Sequence, residues 1–424
     1  MRKKIVIILM FIAFAFDLGA QNTISSPYSK YGIGDNVGFT NTINASIGGI
    51  YNGLRRNNFV NYQNPASYSA IDTQSFVFDI GFYSNNRVLR SQNAKSSGNT
   101  GGLSHILFAF PLSKTLKMAG GLIPVSIIDF SASESYPTDS IIGSHKFTYD
   151  GEGGINKVML GLSYQPTFFD NLSLGVNAEY LFGNYYRSSS LTFPDSANML
   201  SSRVEYNYTI SSFNLNFGLQ YFQTLKNGDA LTFGLNYVLP ANLPTDNQYR
   251  HYTFTSTAGV ETIKDSIKYE NTTGKIKLPQ SLGVGLSYER KNKFLLGLDF
   301  GYSQWSHFSI HEVNYPEILK DNYNFNIGCE YKPNIYGKYF EKIAYRFGLN
   351  YQTGMITIQN TDISQIGVSL GFGLPIKKIG TQVNLYLEYG KRGTKHDNLI
   401  REDYLRVGVS FSAKDRWFFK RKYQ

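Results

Sequence analysis

The sequence predicts an all-β fold, a transmembrane antiparallel β-barrel of about 14 strands. Three observations predict it: apolar and small polar side chains alternate repeatedly from about residue 74 to residue 412, no run of 18 apolar residues occurs, and short connections alternate with long ones. The 424 residues are 15% aromatic and include 40 glycines, which excludes a disordered chain. A single cysteine, Cys329, excludes a disulfide scaffold.

The first twenty residues resemble a secretory signal peptide. Three basic residues precede an apolar run over residues 5–16, and a small-residue site ends at Ala20. Position 21 is Gln rather than Cys, so the mature end lacks the thiol of a lipoprotein anchor. The apolar run is too short to cross a bilayer as a helix. We therefore expect export through a cleaved signal peptide (residues 1–20) to the outer membrane of a Gram-negative bacterium.

The polar face of the predicted strands separates a membrane barrel from a soluble β-sandwich. A soluble sandwich carries many Lys and Glu on that face, whereas Gly and Asn prevail here, and in the strands from residue 172 to residue 389 no Lys or Arg interrupts the middle of the apolar face. A Lys or Arg facing lipid at the midplane would cost about 2–4 kcal/mol. We predict that the apolar face contacts lipid and the small polar face lines the lumen, with a large soluble β-protein as the alternative. The charges predicted on the lumen face are Asp79, Glu179, Asp299, Glu330, Arg346, Glu388 and Arg406.

The alternation places each strand. Three further extended stretches, 139–149, 248–256 and 262–269, alternate poorly and are predicted to be loop hairpins. Short joints would face the periplasm and long ones the exterior, and tyrosines at the strand ends would form the two aromatic girdles. The predicted strands are 74–84, 103–112, 117–130, 156–165, 172–182, 213–221, 231–239, 282–288, 296–302, 323–331, 345–351, 366–374, 383–389 and 405–411.

Four short motifs occur in the order found in a known family. Asn64-Pro65-Ala66 resembles that family's hatch motif, and the Leu-Pro step in 277–283 resembles the entry into a mid-barrel strand. Residues 303–308, with Trp305, are similar to its Trp-Ser-x-Phe hairpin, and 345–351 to its Arg-x-Gly strand. The sequence thus resembles the long-chain fatty acid transporter (FadL) type of outer-membrane protein, whose barrel has fourteen strands.

That resemblance implies a hatch inside the barrel and a kinked early strand that opens sideways into the membrane. Residues 22–64 are glycine-rich and lack strand alternation, which suits an irregular plug sheltered in the lumen. The third strand contains Gly120, Gly121 and Pro124, which weaken or break a β-ladder. We predict a lateral opening there; the alternative is that Pro124 ends the strand above the membrane. The predicted divisions are signal peptide 1–20, hatch 21–72, barrel 73–412 and tail 413–424.

The resemblance implies transport of small hydrophobic, fatty-acid-like compounds, in contact with outer-membrane lipid. The predicted lumen is polar, however, so the alternative is a non-transporting partner or shuttle subunit of an outer-membrane secretion or assembly complex. A basic aromatic tail favours docking of acidic lipid or a protein at the periplasmic face. Its predicted docking residues are Arg416, Trp417, Phe418, Phe419, Lys420 and Arg421.

Enzyme motifs are weak. The Gly-x-Ser-x-Gly pattern at 367–371 lies inside a predicted strand with no helix after it, which contradicts a nucleophile elbow. His307 and His311 lack the spacing of a zinc protease. We therefore predict no enzyme activity, no catalytic residues, no metal and no cofactor. The absence of a Lys/Arg stripe argues against nucleic acid as a partner.

Overall fold

A computed structural model describes residues 26–36, 41–137, 143–194, 199–257, 260–290, 293–310, 313–314, 318–376 and 380–417. The predicted signal peptide and residues 418–424 of the tail, including Phe418, Phe419, Lys420 and Arg421, lie outside this part of the chain. In the part that the structure describes, none of the helices has the length and apolarity to cross a membrane.

Fourteen antiparallel strands form a closed barrel, as the sequence predicts. The last strand pairs with the first along its whole length, from Ser75 opposite Arg416 to Arg90 opposite Arg401, and this seam closes the sheet. The strands are β1 (Ser75–Arg90), β2 (Lys95–Pro111), β3 (Leu116–Tyr136), β4 (His145–Tyr164), β5 (Leu172–Thr192), β6 (Ser201–Thr224), β7 (Ala230–Val238 continued by Ala241–Thr257), β8 (Val260–Leu278 continued by Ser281–Arg290), β9 (Phe294–Ser303), β10 (Asn322–Tyr331), β11 (Ala344–Gln352), β12 (Gln365–Pro375), β13 (Gln382–Arg392) and β14 (Arg401–Arg416).

The two faces of the wall follow the period of two residues. In β5, Leu174 and Tyr180 are exposed on the outside, whereas Asn177 and Glu179 are buried. The outer surface of β6 and β9 likewise exposes Phe217 and Leu298, with other large apolar side chains around the barrel. The apolar face therefore points outward and the Gly- and Asn-rich face inward, which confirms the predicted orientation.

We call the end of the barrel that carries the long connections the outer end. At this end β3 to β8 extend further than predicted. Residues 248–256 and 262–269 do form a hairpin, but it lies within the longer paired stretches Ala241–Thr257 and Val260–Leu278 that extend β7 and β8. The described part of 139–149 includes the start of β4. The predicted hairpin of 248–256 with 262–269 is thus present, but it belongs to the long β-ladder, because pairing between strands does not require alternation. Residues 260–273 of β8 are exposed on both faces, so this part of the ladder continues without an apolar face.

The residues before β1, here called the N-terminal segment (26–36 and 41–74), contact the inner face of the barrel. They contain two 3₁₀ helices (Pro27–Lys30 and Pro65–Ala70), a two-residue strand (Asp35–Asn36) and the helix α1 (Thr42–Ser46). The Asn41 side chain accepts a hydrogen bond from the Ile43 backbone N–H at 2.9 Å and so caps α1. Ile43, Ile47, Ile50, Leu54 and Phe59 of this segment bury together with Leu295 of β9.

The connections at the outer end carry most of the other short elements. Tyr28 and Ile33 of the N-terminal segment join a buried apolar cluster with Phe308, Ile356 and Leu399 from these outer connections. This cluster packs the N-terminal segment against the outer end of the barrel. The remaining elements are the 3₁₀ helices Trp305–His307, Tyr339–Lys342 and His396–Asn398 and the two-residue strands Ser309–Ile310, Val313–Asn314, Thr357–Ile358 and Thr361–Asp362.

Candidate functional site: a side gap and an inner chamber

Two neighbouring strands of the wall, β2 and β3, pair over only part of their length. Their pairs run from Pro111 opposite Lys117 to Ile106 opposite Leu122 and then stop. Beyond that point β2 continues outward paired with β1, and β3 continues paired with β4. The facing edges, residues 95–105 of β2 and 123–136 of β3, do not pair with each other, and we call the space between these edges the side gap.

A β-bulge in β3 marks the beginning of the side gap. The register against β4 shifts between Pro124 and Ser126. The buried side chains also switch at this point, from odd-numbered residues such as Ala119 and Ile123 before the bulge to even-numbered residues such as Ser126 and Ile128 after it. Such an extra residue bends a strand and increases its twist, which explains why β3 turns away from β2 here.

The three residues predicted to kink the third strand lie at this place. Gly120 and Gly121 are within the last paired stretch, and a Cβ on Gly121 would lie 2.2 Å from the Ile106 carbonyl oxygen. Pro124 lies inside β3, opposite Asn156 of β4, so it does not end the strand. Proline has no N–H to donate to a ladder, and it is therefore found at strand edges and bulges such as this one.

The two-residue strand of the N-terminal segment fills part of the side gap. Asp35 pairs with Ile127 and Asn36 with Ser126 on the β3 edge that β2 has left. The preceding Gly34 has φ +100°, and a Cβ there would lie 2.6 Å from the Ile127 carbonyl oxygen. Only glycine tolerates both that backbone conformation and that approach, so this short strand depends on it.

An ionic cluster fixes the same short strand to the opposite side of the gap. Asp35 contacts Arg87 of β1 and, at 2.5 Å, Arg392 of β13, and both arginines also approach Glu402 of β14, at 3.5 and 3.9 Å. Ser26 donates its hydroxyl hydrogen to Glu402. Burial alone would raise the pKa of Asp35, but the two guanidinium groups outweigh it and hold this pKa well below its usual value.

Sequence reasoning missed this cluster because it ended the strands too early. Arg87, Arg392 and Glu402 keep the inward phase of Asp79, Glu388 and Arg406 in their own strands. Extending the alternation by a few residues would have placed them on the lumen side. Their partner Asp35, in contrast, lies in a segment without alternation, and its position was not readable from a pattern.

The Asn-Pro-Ala motif contacts the barrel wall through glycines and serines. The Asn64 amide group donates to the carbonyl oxygens of Asn52, Leu219 and Leu235 at 3.0 to 3.4 Å. The Ala66 carbonyl oxygen accepts from the Ser163 and Ser173 hydroxyls at 3.1 and 2.6 Å. Cβ atoms on Gly175 of β5 or Gly218 of β6 would lie within 2.4 Å of this motif, so these lumen glycines make room for Pro65 and Ala66.

A second charge cluster surrounds the buried Glu330 of β10. Arg56 of the N-terminal segment, Lys332 and Arg346 of β11 lie 3.0, 3.0 and 2.7 Å from its carboxylate oxygens. Arg56 also reaches Glu289 of β8 at 3.4 Å. The cluster joins the N-terminal segment to three strands of the wall, close to the joint between β10 and β11.

Three other predicted lumen carboxylates lie beside a lysine, an arginine or a histidine. Glu179 contacts Lys157 at 2.8 Å, and Glu388 contacts Arg406 at 3.6 Å. The Asp79 carboxylate lies 3.3 Å from His105 Nε2 and accepts a hydrogen bond from the Asn41 amide. All of these carboxylates are buried.

Asp299 of β9 differs from the other lumen carboxylates. Its Oδ2 accepts hydrogen bonds from the backbone N–H groups of Tyr51 and Asn52, both at 2.8 Å, and from the Asn52 amide at 3.2 Å. These are neutral donors. The predicted lumen charges therefore divide into charge-paired groups and one group held by the N-terminal segment alone.

A chamber of about 440 Å³ lies between the N-terminal segment and the wall. Ile123, Pro124 and Val125 of β3 line it beside the side gap, and Asp299 and the indole of Trp305 also line it. Much of the remaining lining consists of side-chain amides from the strands, namely Asn214, Asn216, Asn236, Asn324, Asn326 and Asn350. Apolar residues line the chamber at the gap and also elsewhere, for example at Val238, Leu278 and Met355, and Lys157 lies beside Ile123. The chamber therefore has an apolar patch at the gap within a lining of mixed polarity.

The described start of the tail lies along the barrel. Arg416 ends β14 opposite Ser75, and the Trp417 ring stacks on Phe76 of β1 with 4.4 Å between centroids. The Trp417 backbone N–H donates to the Gln74 carbonyl oxygen at 3.1 Å. These described residues of the tail lie beside Gln74 and Phe76 and do not line the chamber.

Solved structures with this architecture are outer-membrane channels. The monoaromatic hydrocarbon channel CymD has a TM-score of 0.56 and 14% identity over 91% of this chain and 99% of that chain. The Ralstonia pickettii toluene transporter TbuX gives 0.57 and 12% over 90% and 100%, and a Pseudomonas aeruginosa FadL homologue gives 0.59 and 13% over 91% and 100%. These likenesses define the fold as a FadL-type outer-membrane β-barrel, as the motifs predicted.

The particular family follows from the sequence. The BamG family model matches residues 1–424, so the chain belongs to the BamG family. This is a distinct family that shares the FadL-type fold. A comparison with curated protein sequences found no match. The similar solved structures are described as channels and transporters rather than enzymes.

Proposed function

We propose that this protein passes small hydrophobic compounds across the outer membrane, with residues 21–72 as a hatch and the side gap as the lateral opening. The observation that carries this proposal is the end of β2–β3 pairing at Ile106 and Leu122, directly beside a chamber lined by Ile123, Pro124 and Val125. An apolar compound can leave the chamber there without crossing a hydrogen-bonded ladder.

The contacts of the N-terminal segment support its role as a hatch. It is bound to the wall by the Asn-Pro-Ala contacts, by the Glu330 cluster and by the ionic cluster at Asp35. The strand Asp35–Asn36 occupies the β3 edge at the gap, so displacement of this strand would widen the opening. In this proposal residues 1–20 are a signal peptide removed on export.

The names of the structural neighbours agree with this class of cargo. CymD is described as a monoaromatic hydrocarbon channel and TbuX as a toluene transporter. Their low identity carries the fold and not the activity, so the cargo of this protein must be measured directly.

Uptake by intact cells tests the proposal, because the lipopolysaccharide surface slows hydrophobic compounds that cross pure phospholipid freely. Cells depleted of the protein are expected to accumulate labelled toluene or oleate several-fold more slowly than cells that express it. Re-expression of the wild-type chain should restore the rate. Equal rates with and without the protein, at equal outer-membrane integrity to a hydrophilic dye, would refute passage of these compounds.

A second candidate function, a partner subunit in an outer-membrane complex, is favoured by apolar side chains at the periplasmic end. The joint between β10 and β11 carries Tyr336 and Phe340, which are 88% and 73% exposed. Exposed aromatic side chains of this kind mark sites of contact with proteins or headgroups. Gentle detergent extraction followed by mass spectrometry tests this role; a stoichiometric protein that is lost with Tyr336→Ser and Phe340→Ser would support it.

A further inference from the structure

We propose that the chamber selects amphipathic compounds that carry a cationic amine head, and that Asp299 is the residue that receives this head. The inference rests on the proposed passage function and names its cargo class. An apolar body would lie toward the side gap, and the amine toward the opposite wall, where β9 carries Asp299.

Asp299 is a buried carboxylate without a cation. It is 6% exposed, and within the described residues its hydrogen-bond donors are the neutral groups of Tyr51, Asn52 and Gly53. The other acidic lumen residues predicted from the sequence, Asp79, Glu179, Glu330 and Glu388, each face an arginine, a lysine or a histidine. Burying a carboxylate without a positive partner is costly, so this position favours a ligand that supplies the positive charge.

Other acceptors in the chamber also lack donors. Asp299 Oδ1, Asn52 Oδ1 and Gln63 Oε1 are buried and accept no hydrogen bond from any residue in the described part of the chain. All three side chains line the chamber. An ammonium group has three donors and no acceptor, and it therefore matches this set better than a carboxylate or a hydrocarbon does.

The wall is shaped to hold the carboxylate in place. Gly285 of β8 stands opposite Asp299 in the ladder, and a Cβ at Gly285 would lie 2.0 Å from Asp299 Oδ1. The two backbone N–H groups of the N-terminal segment fix the other oxygen. The position of Oδ1 is therefore fixed, although none of the described residues donates a hydrogen bond to it.

The two ends of the chamber give the expected orientation. Ile123, Pro124 and Val125 provide an apolar wall on β3, across the barrel from β9. The indole of Trp305 also lines the chamber, and aromatic faces attract ammonium groups. A single-chain amine meets both kinds of surface, whereas a simple hydrocarbon leaves the acceptors without partners.

Trp305 provides the readout. The protein has two tryptophans, so Trp417→Phe leaves Trp305 as the sole indole. This variant, in phosphatidylcholine nanodiscs, is titrated with n-decylamine and with n-decanol, which share a chain and differ in the head. Decylamine is expected to change Trp305 emission in a saturable way and to bind about tenfold more tightly than decanol.

Asp299→Asn tests the assignment, because asparagine can still accept the bonds from Tyr51 and Asn52. We expect decylamine affinity to fall about tenfold or more, with decanol affinity unchanged. Glu388→Gln is the matched control, since Glu388 lines the same chamber but already faces Arg406. It should leave the preference for amine intact. A signal that is the same in both variants measures partition of the compounds into lipid. Equal binding of amine and alcohol, or an amine preference that survives Asp299→Asn, overturns the proposal. Toluene or oleate uptake that persists in that case would leave the passage function standing.

Discussion

Glu330→Ala is expected to lower the stability of the folded barrel by about 3–5 kcal/mol. The substitution leaves the buried Arg346 and the partly buried Arg56 and Lys332 without the carboxylate that they share. Breaking a buried ion pair by removing one partner is the costly case. Urea unfolding of the protein in lipid vesicles, followed by the heat-dependent gel mobility of the folded form, measures the effect. The stability of Glu330→Gln should lie between those of the wild type and Glu330→Ala, because glutamine retains one acceptor oxygen.

An exposed ion pair provides the control for this prediction. Lys320 and Asp362 lie 3.3 Å apart with both side chains about half exposed, and such pairs contribute about 0–1 kcal/mol. Asp362→Ala should therefore unfold nearly as the wild type does. If Glu330→Ala also unfolds like the wild type, the cluster does not hold the N-terminal segment in the barrel.

Asp35→Ala is expected to release the short strand from the side gap. The substitution removes the carboxylate shared by Arg87 and Arg392, both of which are nearly buried. A loss of about 3 kcal/mol in local stability corresponds to roughly a hundredfold faster hydrogen exchange in the peptide that contains Ser126 and Ile127. Exchange followed by mass spectrometry measures this, with the β4 peptide around residue 155 as an internal reference.

The pH dependence of this contact follows from the lowered pKa of Asp35. A carboxyl with a lowered pKa in the folded state stabilises the contact above its ordinary pKa, near 4, and loses that contribution only as the pH falls through the lowered value. Protection at Ser126 and Ile127, after correction for intrinsic exchange, should thus hold from pH 7 down to pH 5. Asp403→Ala is the control, because Asp403 pairs with Arg90 and Arg401 and not with the N-terminal segment. If exchange at Ser126 and Ile127 is also faster in Asp403→Ala, the effect does not come from the contacts of Asp35.

The barrel itself was predictable because a membrane constrains each strand in the same way. Every spanning strand must alternate, so the positions of Asp79, Glu179 and Arg346 on the lumen face could be read directly from the sequence. Gly120, Gly121 and Pro124 carried a local signal too, since glycine and proline weaken a ladder wherever they occur.

The partners of these groups were not predictable. Asp35 and Arg56 lie in a segment without periodicity, and their contacts with Arg392 of β13 and Glu330 of β10 join residues hundreds of positions apart. The side gap could not be predicted for the same reason. Proline at 124 indicates a weak point in β3, but only the register shows that β2 stops pairing at Ile106 and that residues 35 and 36 take part of its place.

The most direct test of the side gap as the passage is to close it and measure uptake. In a Cys329→Ala background, Leu103→Cys and Val125→Cys place one thiol on each edge, to be joined by a bis-maleimide that contains a reducible disulfide. Ser133→Cys with Thr148→Cys is the control, because these residues already pair on the other edge of β3. Joining the gap pair should reduce toluene and oleate uptake to that of depleted cells, reduction should restore it, and the control pair should have no effect. Uptake that continues at the wild-type rate with the gap joined would contradict passage through the wall between β2 and β3.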